Sequence, residues 1–326
     1  MPTLLGSLRR VALTPSLAEV GFAHRGFPVA ASEVTRHLEA IPQSVICGFE
    51  WGIDTRDQRE VEHRVGLVRE DLRGFAYEGV TMAFTVLDAM GPRRGRRTRD
   101  LLLGPGRSHI FLAYIGIGFA MARLPRPLWK KVLPDLGDIP YHPTMSWLAV
   151  DGYGFDRAYF DTDRFVGRQE RPRPYPWLGM PEYFHRAADQ GIGRALWFIH
   201  AADVPAVAAA VERFDVSRRP DLWSGVGLAA TFAGGAGRAA LADLKERAGQ
   251  YRPELAQGAV FAAKARDYSG AVPEYSRTTL DALAGMSIET AAKLADATEV
   301  EAGTTVPAYE LWRLRVRDHF DVTPSR

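Results

Sequence analysis

The chain has 326 residues, 46% apolar and 25% charged, which gives room for one large domain or two ordinary ones and excludes disordered, collagen-like and fibrous classes. Forty-one basic residues against 39 acidic ones leave a net charge of +2, so no nucleic-acid partner is expected. Asn is absent, which removes every N-glycosylation acceptor, and the one cysteine, Cys47, permits no internal disulfide and fits a reducing, cytoplasmic setting.

Residues 1–44 read as an N-terminal segment. The stretch Met1–Arg10 lacks a charged region ahead of a sustained apolar one, so no signal peptide is expected. The longest apolar run, Ile110 to Ala122, has 13 residues. That is short of the roughly 20 needed to span a bilayer, so no transmembrane segment is expected.

From residue 45 to about 270 the chain repeats. Gly79-Val80-Thr81-Met82-Ala83 is echoed at Gly116, Gly152, Gly191, Gly225 and Gly258, with spacings of 37, 36, 39, 34 and 33. Four of the six segments carry a second Gly two residues on, and five carry Ala four residues on. Trp51 precedes Gly79 by 28 residues, as Trp197 precedes Gly225, so Val45–Trp51 falls in register as a seventh unit. Such a period is that of a helical hairpin, predicting an all-α, TPR- or Sel1-like repeat with loop insertions. Small residues at helical spacing are expected at the seams between hairpins. Gly116-Ile117-Gly118 is not a dinucleotide loop, since the third Gly is missing and the pattern recurs.

Val204–Phe214 and Ala236–Ala248 have helical periodicity, the first with Pro205 near its start. Pro125–Pro143 and Arg171–Trp177 are too proline-rich for helix and read as loops. Residues 271–326 form the expected C-terminal helical cap, with helices at Ile288–Ala297 and Ala308–Phe320. Ser108–Ala113 also fits a strand, leaving a mixed α/β fold as the alternative.

Common catalytic signatures are absent: there is no Walker loop, His-Glu-x-x-His helix or Gly-x-Ser-x-Gly elbow. The eight histidines show no ligand spacing, so no metal site is assigned and no cofactor is named. Repeat register offers other candidates. The residues before the leading glycines are Glu78, Ile115, Asp151, Gln190, Ser224 and Gln257, a mostly polar row suited to a groove. Asp151, Glu78 and Asp156 are the candidate acid-base carboxylates. Tyr153, Phe155 and Trp197 offer aromatic walls for an apolar ligand, joined by Gln190, His109 and His200 as candidate substrate contacts. The basic cluster Arg93–Arg99 reads as a solvated loop, and Cys47 as a small core residue.

Four segments carry a family resemblance: Gly48-Phe49-Glu50-Trp51-Gly52-Ile53-Asp54, Gly74-Phe75-Ala76-Tyr77-Glu78-Gly79, Trp147 to Phe155, and Asp189 to Ala195. From about Thr3 to Phe320 the chain resembles the actinobacterial UnbL-type family, encoded beside enediyne polyketide synthases. The resemblance implies a role in maturing a linear polyene or polyyne intermediate, alongside UnbV-type and UnbU-type companions. It implies no particular reaction and carries over no catalytic residue. A non-catalytic scaffold for the partner enzymes is the competing expectation.

Overall fold

A computed structural model describes residues 16–55, 57–91, 95–300 and 305–321. The Met1–Arg10 segment, Arg93 and Arg94 lie outside the described residues. The fold is all-helical, with no strand among the described residues, which overturns the mixed α/β alternative. Ser108 and His109 lie in a 3-10 turn that runs into the helix Ile110–Arg123. That segment is apolar on every side because every side is packed, from Ile110 through Met121. No helix among the described residues is long and apolar enough to cross a membrane.

The chain divides into two compact units, residues 1–27 with 39–153, and residues 28–38 with 154–326. Helices α1 (Glu33–Asp54) and α6 (Leu148–Phe160) contribute residues to both. The first unit also holds α2 (Gln58–Gly66), α3 (Glu70–Met90), α4 (Arg97–Leu103) and α5 (Ile110–Arg123). Val61 and Val65 of α2 pack with Ala76, Tyr77, Val80 and Phe84 of α3 and Leu101 of α4. A loop with a 3-10 turn at Arg126–Lys131 follows α5, anchored by buried Trp129, whose Nε1 donates to the Met121 carbonyl at 2.9 Å.

The second unit contains α7 (Phe184–Ile199), α8 (Val204–Glu212), α9 (Arg219–Ala233), α10 (Arg238–Ala248), α11 (Arg252–Ser269), α12 (Glu274–Ala284), α13 (Ile288–Thr298) and α14 (Ala308–Asp318). Local signals set their ends. The Asp203 carboxylate accepts from Ala206 N at 3.0 Å and Ser287 Oγ from Thr290 N at 3.2 Å, capping α8 and α13. Gly270 and Gly285 close α11 and α12 in the left-handed conformation.

The recurring glycines bring helix backbones into contact. A Cβ on Gly116 would lie 2.2 Å from the Glu78 carbonyl oxygen, and one on Gly152 would lie 2.4 Å from that of Ile115. In the second unit the same relation joins Gly225 to Gln190 at 2.0 Å and Gly258 to Ser224 at 1.9 Å. At these four positions the leading glycine faces the residue just before the preceding leading glycine. The second glycine of each pair faces the helix that follows: Gly118 meets Ala149, Gly193 meets Leu222 and Gly227 meets Leu255, each at 2.0–2.1 Å. Gly48 plays this forward part in α1, 2.0 Å from the Ala76 oxygen.

Candidate functional site

The polar row before the glycines is buried: Glu78, Asp151, Gln190, Ser224 and Gln257 are all at most 3% exposed. It therefore does not line an open groove. In the second unit the physical reason is α14, which lies over the row. Ser224 Oγ donates to Gln257 Oε1 at 2.9 Å, the Tyr309 hydroxyl meets Gln190 Nε2 at 2.9 Å, and Arg313 Nε donates to Gln257 Oε1 at 3.1 Å.

One helical turn before this ladder is a denser set of charges. Asp221 and Glu254 stand four residues before Gly225 and Gly258, on the same helix faces as Ser224 and Gln257. Arg186 forks onto Asp221, with Nε 2.9 Å from Oδ2 and Nη2 3.2 Å from Oδ1, and its Nη2 also reaches Glu310 Oε1 at 2.9 Å. Arg313, fully buried, donates from Nη1 to Asp221 at 2.8 Å and to Glu310 at 2.9 Å. Arg317 closes the set on Glu310, and the Tyr183 hydroxyl donates to Glu310 Oε2 at 2.7 Å. Glu310, Arg313 and Arg317 recur at helical spacing on one face of α14.

Burial alone would raise the Glu310 pKa, but Arg313, Arg186 and Arg317 outweigh it and lower it from 4.5 to about 2. Glu310 is thus an ionised anchor at neutral pH. Burial pushes the Tyr183 phenol well above its ordinary range, so Tyr183 stays neutral and can donate. Burial also raises Glu254, against the pull of Arg317 and Arg313. Not every polar atom here is satisfied: Arg313 Nη2, Gln257 Nε2 and Glu254 Oε2 are buried without a hydrogen-bond partner.

The cluster opens at Arg186 onto a cleft of about 540 Å³ with apolar walls that include Leu178, Met180, Val306 and Pro307. Arg186 is the exposed member of the cluster, its side chain 41% accessible against 2% for Asp221 and 3% for Glu310. Leu178 has φ 48° and ψ 30°, a left-handed conformation that costs a side-chain-bearing residue energy and tends to mark functional rims. Its side chain is 41% exposed at the cleft.

Of the sequence candidates, Gln190 joins the ladder. Phe155 lies under the Arg194 guanidinium, 5.0 Å from its ring centroid, and meets Phe198 edge-on at 5.5 Å. Trp197 is fully buried and donates to the Gly234 carbonyl at 2.8 Å, while Asp156 pairs with Arg157 at 2.9 Å. His200 is held neutral by burial, with its Nε2 buried and unpartnered. In the first unit, Tyr153 meets Trp129 edge-on at 5.0 Å and His109 stacks on Tyr77 at 4.9 Å. Cys47 is half-buried, and its thiol is pushed up by burial and by Glu50. No three His, Cys, Asp or Glu side chains among the described residues gather to hold a metal.

The sequence profile of one family matches residues 4–320, nearly the whole chain. The chain belongs to the DUF1702 family of proteins of unknown function. No curated protein and no solved structure matches it. In this DUF1702 chain the charged cluster meets the apolar-walled cleft at Arg186. A guanidinium, with its Nε and Nη2 held by two carboxylates and Nη1 without a protein partner, lines a cleft with apolar walls. That combination suits an apolar ligand carrying a polar acceptor or a carboxylate.

Proposed function

We propose that this protein binds a linear polyene-derived intermediate of an enediyne polyketide synthase in the cytoplasm and takes part in its maturation. The cleft beside Arg186 carries the reading, because a conjugated acyl chain ending in a carboxylate or thioester needs apolar walls and one fixed donor. The resemblance to the UnbL-type family over nearly the whole chain supports the pathway. The helices are proposed to form hairpin repeats of the TPR or Sel1 kind, supported by the recurring glycine contacts. Asp151, Glu78 and Asp156 are proposed as proton-transfer carboxylates, with Tyr153, Phe155, Gln190, Trp197, His109 and His200 as substrate contacts, on the strength of their residue types and their place in the repeat register.

The test is titration with a fluorescent conjugated polyene fatty acid, beside native mass spectrometry of protein from a producing host. Saturable binding that weakens about tenfold or more in Arg186→Gln supports the cleft. Absence of polyene binding to the folded protein overturns it. Normal product titre from a folded Asp151→Ala variant would remove that carboxylate from the mechanism.

Burial of the polar row favours a second reading, a scaffold that holds the UnbV-type and UnbU-type companions without catalysis. Copurification of a companion with a ligand-free chain would support the scaffold.

A further inference from the structure

The first unit contains a second concavity, of about 420 Å³, whose chemistry differs from that of the apolar cleft. Arg96 and Arg99 face it from the start of α4, and Lys130 and Lys131 from the 3-10 turn after α5. The chain has only five lysines, and two of them stand here side by side. No carboxylate among the described residues pairs with any of these four cations. The two acids in the lining are already engaged: Asp88 accepts from Arg97 Nη1 at 2.9 Å and from Thr98 N at 3.0 Å, and Asp135 Oδ1 accepts from Gly137 N at 3.0 Å.

The walls are fixed as well as charged. Arg99 Nε donates to the Asp135 carbonyl at 3.1 Å, tying α4 to the loop after the lysines while leaving both Nη groups free of protein partners. A Cβ on Gly95 would lie 1.9 Å from Asp88 Oδ1, so the backbone entering Arg96 is seated directly on that carboxylate. Buried Trp129, immediately before Lys130, holds the lysine turn against α5.

With Asp88 paired to Arg97, four cations face the single remaining carboxylate of Asp135, and this excess of like charge in one concavity is relieved by a multiply charged anion. We propose that this pocket binds the diphosphate, or paired phosphates, of a small molecule. Its concave shape favours a compact polyanion over an extended nucleic acid, and neither the cleft nor the polyene reading is needed for it.

Calorimetric titration of the full chain with inorganic pyrophosphate tests the site. One saturable site at about 1 mM ligand or below is expected, with inorganic sulfate weaker by about tenfold. The paired substitution Arg96→Gln with Lys130→Gln, and Lys131→Gln alone, should weaken pyrophosphate by about tenfold and severalfold respectively. Lys293→Gln, at an exposed lysine in the second unit, should leave it unchanged. All four residues are exposed, so thermal melts of the variants should match the parent. Absence of pyrophosphate binding overturns the proposal, as does undiminished binding in the paired variant. Tighter binding of short duplex DNA through the same residues would overturn it in favour of an extended polyanion surface.

Discussion

The Arg313 guanidinium meets the Asp221 carboxylate at 2.8 Å with both side chains at most 2% accessible, 92 residues apart in sequence. This contact and the adjoining one to Glu310 fasten the last helix to α9. Removing one partner of a buried pair leaves the other charge without compensation, at a cost of roughly 3–5 kcal/mol. Arg313→Met is therefore expected to lower stability by about that amount in chemical denaturation. Arg247→Met, which breaks the exposed pair with Asp243, should change it by less than about 0.5 kcal/mol.

Acid should loosen the same fastening. The folded pKa of Glu310 lies below its ordinary value, so its stabilising contribution is complete above about pH 4.5 and is lost as pH falls toward 2. Stability measured by denaturant across that window should fall with acid, and Glu310→Gln should flatten the slope. An unchanged slope in that variant would mean that Glu310 is not the group responsible.

The same substitution at two glycines should give opposite signs. Gly225→Ala places a methyl 2.0 Å from the Gln190 oxygen and must force α7 and α9 apart, an overpacking cost of roughly 1–3 kcal/mol or more. Gly66 in α2 has nothing within 4 Å of its Cβ position, so Gly66→Ala should stabilise by up to about 1 kcal/mol through helix propensity. Paired melting curves decide it.

Leu178 separates binding from stability. Gly accepts φ 48° without strain, so Leu178→Gly should leave the melting temperature unchanged or raise it, by an amount reflecting about 1 kcal/mol or less. The same change removes an apolar wall of the cleft and should weaken polyene binding severalfold. Loss of both together would show that Leu178 serves folding instead.

Helices and close seams were legible because they are written locally. The glycine period marks where backbones meet, and Pro205 marks a helix start. Long-range cover left no such trace. Gln190, Ser224 and Gln257 read as groove residues because nothing near them in sequence shows that Tyr309 and Arg313 return to cover them. The charged cluster had one available signal: Asp221 and Glu254 share a register position one turn before that row, and Glu310, Arg313 and Arg317 share a face of α14. Either pattern alone is also that of a solvated helix, so only the pairing of the two faces distinguishes them. Arg186 as the opening of the cluster depended on loops at 178–182 and 305–307, where periodicity gives no guidance.

The glycine seams also constrain how this chain can evolve. At Gly116, Gly152, Gly225 and Gly258 the obstructing atom is a main-chain oxygen, which every amino acid supplies at the facing position. No compensating side-chain replacement at Glu78, Ile115, Gln190 or Ser224 can clear room for a methyl. These sites should yield no second-site suppressors at their partners, and the contacts they make should leave no signature of paired substitution among relatives.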